Sequence, residues 1–230
     1  MLKSRLALWA KSNFGAYPQN LLIYRDGVSE GQYNLIIEHE LPLLRKACRE
    51  TYSADSTKAG IPHMTIVVVG KRHHTRFYPV QEADADNSSN PHHGTVVDRG
   101  VTEARTWDSY IQAHTALQGT ARPAHNVVIL DEIFRYLQVK APFKNTADML
   151  NDLTHNMSYM YGRATKPVSI CPPAYYADLV CERARRYLSG VFDASPEASV
   201  VDGSQTGSAA AIDSSAVRLH EKIKDTMFYI

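Results

Sequence analysis

The chain has 230 residues, 44% of them hydrophobic and 21% charged, with a formal net charge of +1. Those are ordinary globular values for one large domain or two small ones with a packed core. They exclude a uniformly basic nucleic-acid binder, so any grip on a phosphate backbone must come from cations gathered locally by the fold.

Three cysteines, Cys48, Cys171 and Cys181, show no metal-site spacing. Their odd number predicts reduced thiols and a cytoplasmic protein. The opening MLKSRLALWAKSNFG carries too short an apolar patch for a secretory segment, and no stretch reaches the length of a membrane span.

The elements follow in chain order. Leu21–Tyr24 is a continuous apolar run that stops at Arg25-Asp26-Gly27, which predicts a buried parallel strand. Ser29 to Gln32 spells an S-x-x-Q capping box, which predicts a helix carrying Leu35, Ile36, Leu43, Leu44 and Cys48, kinked by Pro42. Met64–Val69 is a second β-branched strand, feeding directly into Lys71-Arg72-His73-His74-Thr75-Arg76. Glu82 to Gly94 reads as an exposed loop, and Thr95–Val97 and Val127–Leu130 as further short strands. Helical spacing of Met149, Leu150, Leu153 and Met157 predicts a helix over Thr146–Met160, and Pro172-Pro173 opens another over Ala174–Leu188. Ser195 to Ser215 is small and polar, a mobile insertion, before a last helix over Ala216–Met227. Strands first, with helices packed around them, give an α/β layered fold.

Several side chains could carry chemistry. Asp26 follows a strand, at the end of an α/β sheet where ligands gather, and a carboxylate there suits a divalent cation. On position alone, a turn or helix-capping aspartate is the commoner role for it. Asp98, Asp131 and Glu132 also follow strands and rival it. Asp178 sits in early helical turns, where the helix dipole alone favours a carboxylate. The basic run 71–76 suits phosphate contacts or a solvated loop. Arg122, Arg163, Lys166, Arg183, Arg185 and Arg186 would add to a groove only if the fold gathers them. The pairs His73-His74 and His92-His93 lack the partners a zinc site needs. Tyr175 and Tyr176 could stack on bases or sit in the core.

Six segments together resemble one family, in order and at similar spacings. They are YRDGVSEGQY (Tyr24–Tyr33), KRHHTR (Lys71–Arg76), GTVVD (Gly94–Asp98), QGTARPAH (Gln118–His125), VSICPPAYYADLV (Val168–Val180) and TMFYI (Thr226–Ile230). They resemble the C-terminal part of the Argonaute PIWI domain, and the wording around GTVVDRGVT and YYADL resembles fungal Argonautes. The resemblance implies an RNase H-like mixed sheet flanked by helices, here lacking its first strands, with residues 1–230 forming part of that domain. It implies small-RNA-guided silencing, with guide and target RNA as partners and magnesium as the metal.

Residue by residue, Asp26 and Asp178 match the third and fourth catalytic, metal-holding positions of a two-metal endoribonuclease. Lys71, Arg72 and Arg76 match a basic strip near the guide backbone. His114, Arg122, Arg163, Ser169 and Tyr175 match residues that hold guide phosphates, and Arg183 one that reaches the 5′-phosphate region, with the carboxylate of Ile230 buried nearby. The family's first aspartate and its glutamate would precede Met1. The resemblance thus implies half a cutting site, inactive in this chain alone. A non-catalytic module that docks silencing partner proteins is the alternative. A freestanding nuclease recruiting Asp98, Asp131 or Glu132 comes third.

Overall fold

The computed structural model describes residues 1–57, 60–189 and 219–230. The chain divides into two compact units, 1–175 and 176–230. The insertion expected over 195–215 lies outside the described residues.

The first unit is built on a mixed five-stranded sheet. Its strands are β1 (Asn20–Asp26), β2 (His63–Gly70), β3 (Thr95–Val97), β4 (Trp107–Gln112) and β5 (Ala124–Asp131). The order is β1-β2-β5-β4-β3, with β1 parallel to β2 and the other pairs antiparallel. Helices α1 (Leu2–Ser12), α2 (Leu41–Arg49), α3 (Thr146–Met157) and α4 (Pro172–Tyr187) accompany it, α4 starting in the first unit and running on past Tyr175. No helix among the described residues is long and apolar enough to cross a membrane.

β2 forms the centre of the core because its residues 64–69 are buried on both faces. Alternation splits them. Met64, Ile66 and Val68 join Leu6, Ile36, Leu41 and Cys48, while Val67 and Val69 join Tyr24, Phe134, Leu150, Cys171 and Ala174. A continuous apolar run is what a strand covered on both faces requires.

The helical stretch after β1 differs from its expected form. Ser29 caps a short 3₁₀ turn (Glu30–Gln32) without a side-chain hydrogen bond, so the capping box does not close. The chain continues through a helical turn at Tyr33–Leu35 and a π-helical segment at Ile36–Glu40 into α2. Pro42 accounts for the wide turn. It cannot donate to the carbonyl four residues back, and its ring crowds that carbonyl, so the preceding turn opens rather than kinking the helix.

Three other expectations change. β4 is a strand that the sequence pattern did not reveal. The loop 82–94 is anchored, since Asn90 is 2% exposed and Ala85 bridges Pro91. The last helix is not formed where it is described: residues 221–229 are turns, and Ile230 is 40% exposed rather than buried.

Candidate nucleic-acid interface

Strand directions decide which loops meet. β1 and β2 end at Asp26 and Gly70 on one edge of the sheet, as Asp26 pairs with Val69 and Gly70 with His125. β5 is antiparallel, so it begins there, and β4 ends there. The basic turn 71–76, the loop 113–123 and the turn after Asp26 therefore emerge at the same end. Asp131 and Glu132 lie at the opposite end, because Asp131 pairs with Thr65 near the start of β2. Asp98 follows β3, which runs antiparallel to β4, and leaves by that far end too.

The rivals of Asp26 are also engaged in structure. Asp131 accepts from Thr65 Oγ1 at 2.7 Å and from the backbone N–H groups of Ile133, Phe134 and Arg135. It caps the turn after β5. Glu132 accepts from Arg45 at 2.5 Å and from the Met64 N–H at 3.0 Å.

Six of the nine candidate nucleic-acid contacts come together. Lys71 Nζ donates to Ser169 Oγ at 2.6 Å, and that hydroxyl shares a 2.8 Å hydrogen bond with Tyr175 Oη. Burial, then Arg122 and Arg76, push the Lys71 ammonium pKa down, which places both arginines within electrostatic reach of it. Burial, then Lys71, pushes His114 down to about 4. His114 is therefore neutral at pH 7 and contributes hydrogen bonding rather than charge. Its Nδ1 is buried without a hydrogen-bond partner. Arg76 curls back to donate to the carbonyls of His73 and Thr75 at 3.1 and 2.7 Å.

The other three stand apart. Arg72 and Arg163 are exposed. Arg183 belongs to the second unit, where its guanidinium lies 5.9 Å over the Tyr187 ring. Tyr161 packs on Tyr175 with ring centroids 5.3 Å apart, while Tyr176 meets Tyr229 within the second unit at 6.3 Å.

Asp26 lies at the tip of β1. Arg25 clasps Glu40 through Nε and Nη2, at 3.1 to 3.2 Å, and donates to the Asp26 carbonyl from Nη1. This pins the backbone that carries the carboxylate. Gly27 at φ +46 then turns the chain away, and its N–H bonds to the Val69 carbonyl at 3.1 Å. The Cys171 thiol is pushed up to about 12 by burial, with the nearby Asp26 charge adding to it. Asp178 is exposed on α4 in the second unit. Among the described residues no group of three or more His, Cys, Asp or Glu side chains is placed to hold a metal ion. The paired histidines make no zinc site: His74, His92 and His93 are exposed, and His73 bonds the Pro123 carbonyl.

One contributor was missed in the sequence. Asn90 binds the loop that carries Arg122, accepting from Ala121 N–H at 2.7 Å and donating to the Gly119 carbonyl at 3.0 Å. An asparagine in a polar loop gives no signal of such a partner.

The family model described as "Piwi domain" matches residues 1–189. Argonaute 5 of Arabidopsis thaliana is 40% identical over 94% of this chain, and the match covers 20% of that protein, so the chain spans about a fifth of its length. A crystal structure of the C-terminal lobe of a budding yeast Argonaute superposes with a TM-score of 0.78 at 29% identity, over 100% of this chain and 43% of that one. The structure of Kluyveromyces polysporus Argonaute with a guide RNA gives 0.78 at 30% identity, over 100% of this chain and 26% of that one. Plant and yeast proteins both match, so the resemblance to fungal wording does not single out fungi. The mixed sheet is the RNase H-like sheet of this group, and the chain belongs to the Piwi domain family of the Argonautes.

Proposed function

We propose that this chain is the guide-holding part of an Argonaute PIWI domain, serving small-RNA-guided silencing by gripping the backbone of a guide RNA that pairs with target RNA. The supporting observation is the convergence of Lys71, Arg76 and Arg122 with His114, Ser169 and Tyr175 at one end of the sheet. Cations and hydroxyl donors read phosphate and sugar without reading bases. A protein that must accept guides of many sequences needs that kind of contact. On resemblance alone, Arg72 and Arg163 are assigned further guide-backbone contacts and Arg183 one to the 5′-phosphate region.

Asp26 and Asp178 are assigned, on resemblance, two positions of a two-magnesium site. Magnesium there would activate the attacking water and steady the leaving oxygen. It demands a near-octahedral set of oxygen ligands, of which two carboxylates supply only a part. Cleavage is therefore assigned only to an assembly that adds further carboxylates. The unpaired thiols of Cys48 and Cys171 support a cytoplasmic location.

A second reading, a module that docks a silencing partner protein, is favoured by one feature. A cavity of about 380 Å³ opens beside Ile133, Tyr136 and Leu137, at the opposite end of the sheet from the cations.

The test is binding of a fluorescent single-stranded RNA to the chain across a salt series. Three phosphate-binding cations give a slope of log K against log salt of roughly −2, at about −0.7 per contact. Affinity that ignores salt, or no affinity, sinks the guide-holding reading and leaves the docking module.

A further inference from the structure

Arg122 is exposed, yet the backbone on either side of it is held. His73 Nε2 donates to the Pro123 carbonyl at 3.0 Å. Asn90 holds the Ala121 N–H and the Gly119 carbonyl. The two holding groups come from different loops, His73 from the turn after β2 and Asn90 from the loop before β3.

Each is itself fixed. Asn90 donates its backbone N–H to Asp86 Oδ1 at 2.9 Å and is buried. The His73 ring meets Tyr110 edge-on at 5.3 Å. Tyr110 stacks flat on His125 at 4.2 Å, and His125 donates to Asp108 Oδ2 at 2.8 Å. With Nε2 donating, Nδ1 of His73 is a bare, buried acceptor. Protonation there would bury a second N–H without an acceptor, beside the charges of Arg76 and Arg122 and the ring of His125. Burial and those neighbours hold the His73 pKa low, so the ring stays neutral and keeps this orientation. Proline fixes its own φ as well, so the segment 119–123 has little freedom left.

We propose that His73 and Asn90 form a two-point clamp that aims Arg122 at the guide backbone, making both of them positioning residues for phosphate binding. The clamp rests on the guide-holding reading above. It acts on geometry, since neither residue supplies charge to the groove. A guanidinium on an unclamped loop would have to order that loop on binding, and the affinity would fall by the cost of doing so.

The experiment is a double-mutant cycle on the 230-residue chain, read by the dissociation constant for a short fluorescent single-stranded RNA. Arg122→Ala and His73→Phe are each expected to weaken binding roughly fivefold, as for one lost hydrogen bond or ion contact. The double variant is expected to be no weaker than either single, because an Arg122 already mis-aimed has nothing left to lose. A residue that merely supported the fold would give losses that multiply, and that outcome overturns the clamp. His73→Gln can still donate to the Pro123 carbonyl and is expected to bind as the native chain does. If it binds as poorly as His73→Phe, the clamp falls. Asn90→Ala is expected to show the same coupling to Arg122, and independence there overturns the second point. If Arg122→Ala costs nothing, the guide-holding reading fails and the clamp falls with it. If Arg122→Ala does weaken binding but the cycle is multiplicative, the clamp alone fails.

Discussion

Lys71 donates to Ser169 at 2.6 Å, and Ser169 is bonded in turn to Tyr175. The turn after β2 is thereby tied to the approach to α4. The lysine is half-buried among arginines, with a hydroxyl rather than a carboxylate as its hydrogen-bond partner. Such an ammonium is short of negative charge, and a phosphate would supply it.

The pH dependence of RNA binding should show this. The Lys71 pKa lies below 10.5, so its charge is lost as pH rises through that depressed value, before an ordinary lysine titrates. RNA affinity is expected to fall in that window. Lys71→Arg, which keeps its charge there, should flatten the profile. An unchanged profile in Lys71→Arg would count against Lys71 as the titrating contact.

His114 predicts an acid sensitivity of the fold. Its pKa is about 4 folded and 6.5 in a free chain, so between those values the unfolded state binds more protons. Stability contributed by neutral His114 is full above about pH 6.5 and is lost as pH falls toward about 4. Urea midpoints measured across that range should decline, and His114→Gln should decline less.

Asp131 is expected to matter for stability and not for RNA. It satisfies the Thr65 hydroxyl and three backbone N–H groups at the far end of the sheet. Asp131→Ala should cost about 2 kcal/mol or more in chemical unfolding, as losses of caps and buried hydrogen-bond partners do. RNA affinity at native conditions should stay within about twofold, since typical surface changes away from a site fall within ~0.5 kcal/mol. A magnesium-dependent nuclease activity that disappears with Asp131→Ala would revive the freestanding-nuclease reading.

The 230-residue chain is expected not to cleave guide-paired RNA in magnesium. Asp26→Ala should bind single-stranded RNA as the native chain does, within about twofold. Guide-dependent cleavage by this chain, abolished in Asp26→Ala, would overturn the assignment of cutting to a larger assembly.

Much of the sheet could be read directly because β1 and β2 are apolar runs with clear stops at Asp26 and Gly70. β4 could not, since WDSYIQ neither alternates nor runs apolar. Asp108, Ser109 and Gln112 are buried there because His125, Asn151 and the His114 carbonyl lie opposite them, partners distant or hidden in sequence. The last helix failed for the converse reason. Leu219, Ile223 and Met227 have helical spacing, yet they are 46%, 39% and 47% exposed, so no packed face rewards the helix. Strand direction is what separates Asp26 from Asp131. A carboxylate after a strand looks the same in either orientation until the antiparallel pairing of β2 with β5 sends one of the two to the far end.

The wide turn at Ile36–Glu40 supplies a brace for the tip of β1. Glu40 closes that turn and is also the residue that Arg25 clasps while holding the Asp26 carbonyl. Replacing Glu40 by alanine would leave the Arg25 guanidinium without the carboxylate that steadies it. A change at Glu40, outside every candidate RNA contact, would thus loosen the backbone that carries Asp26.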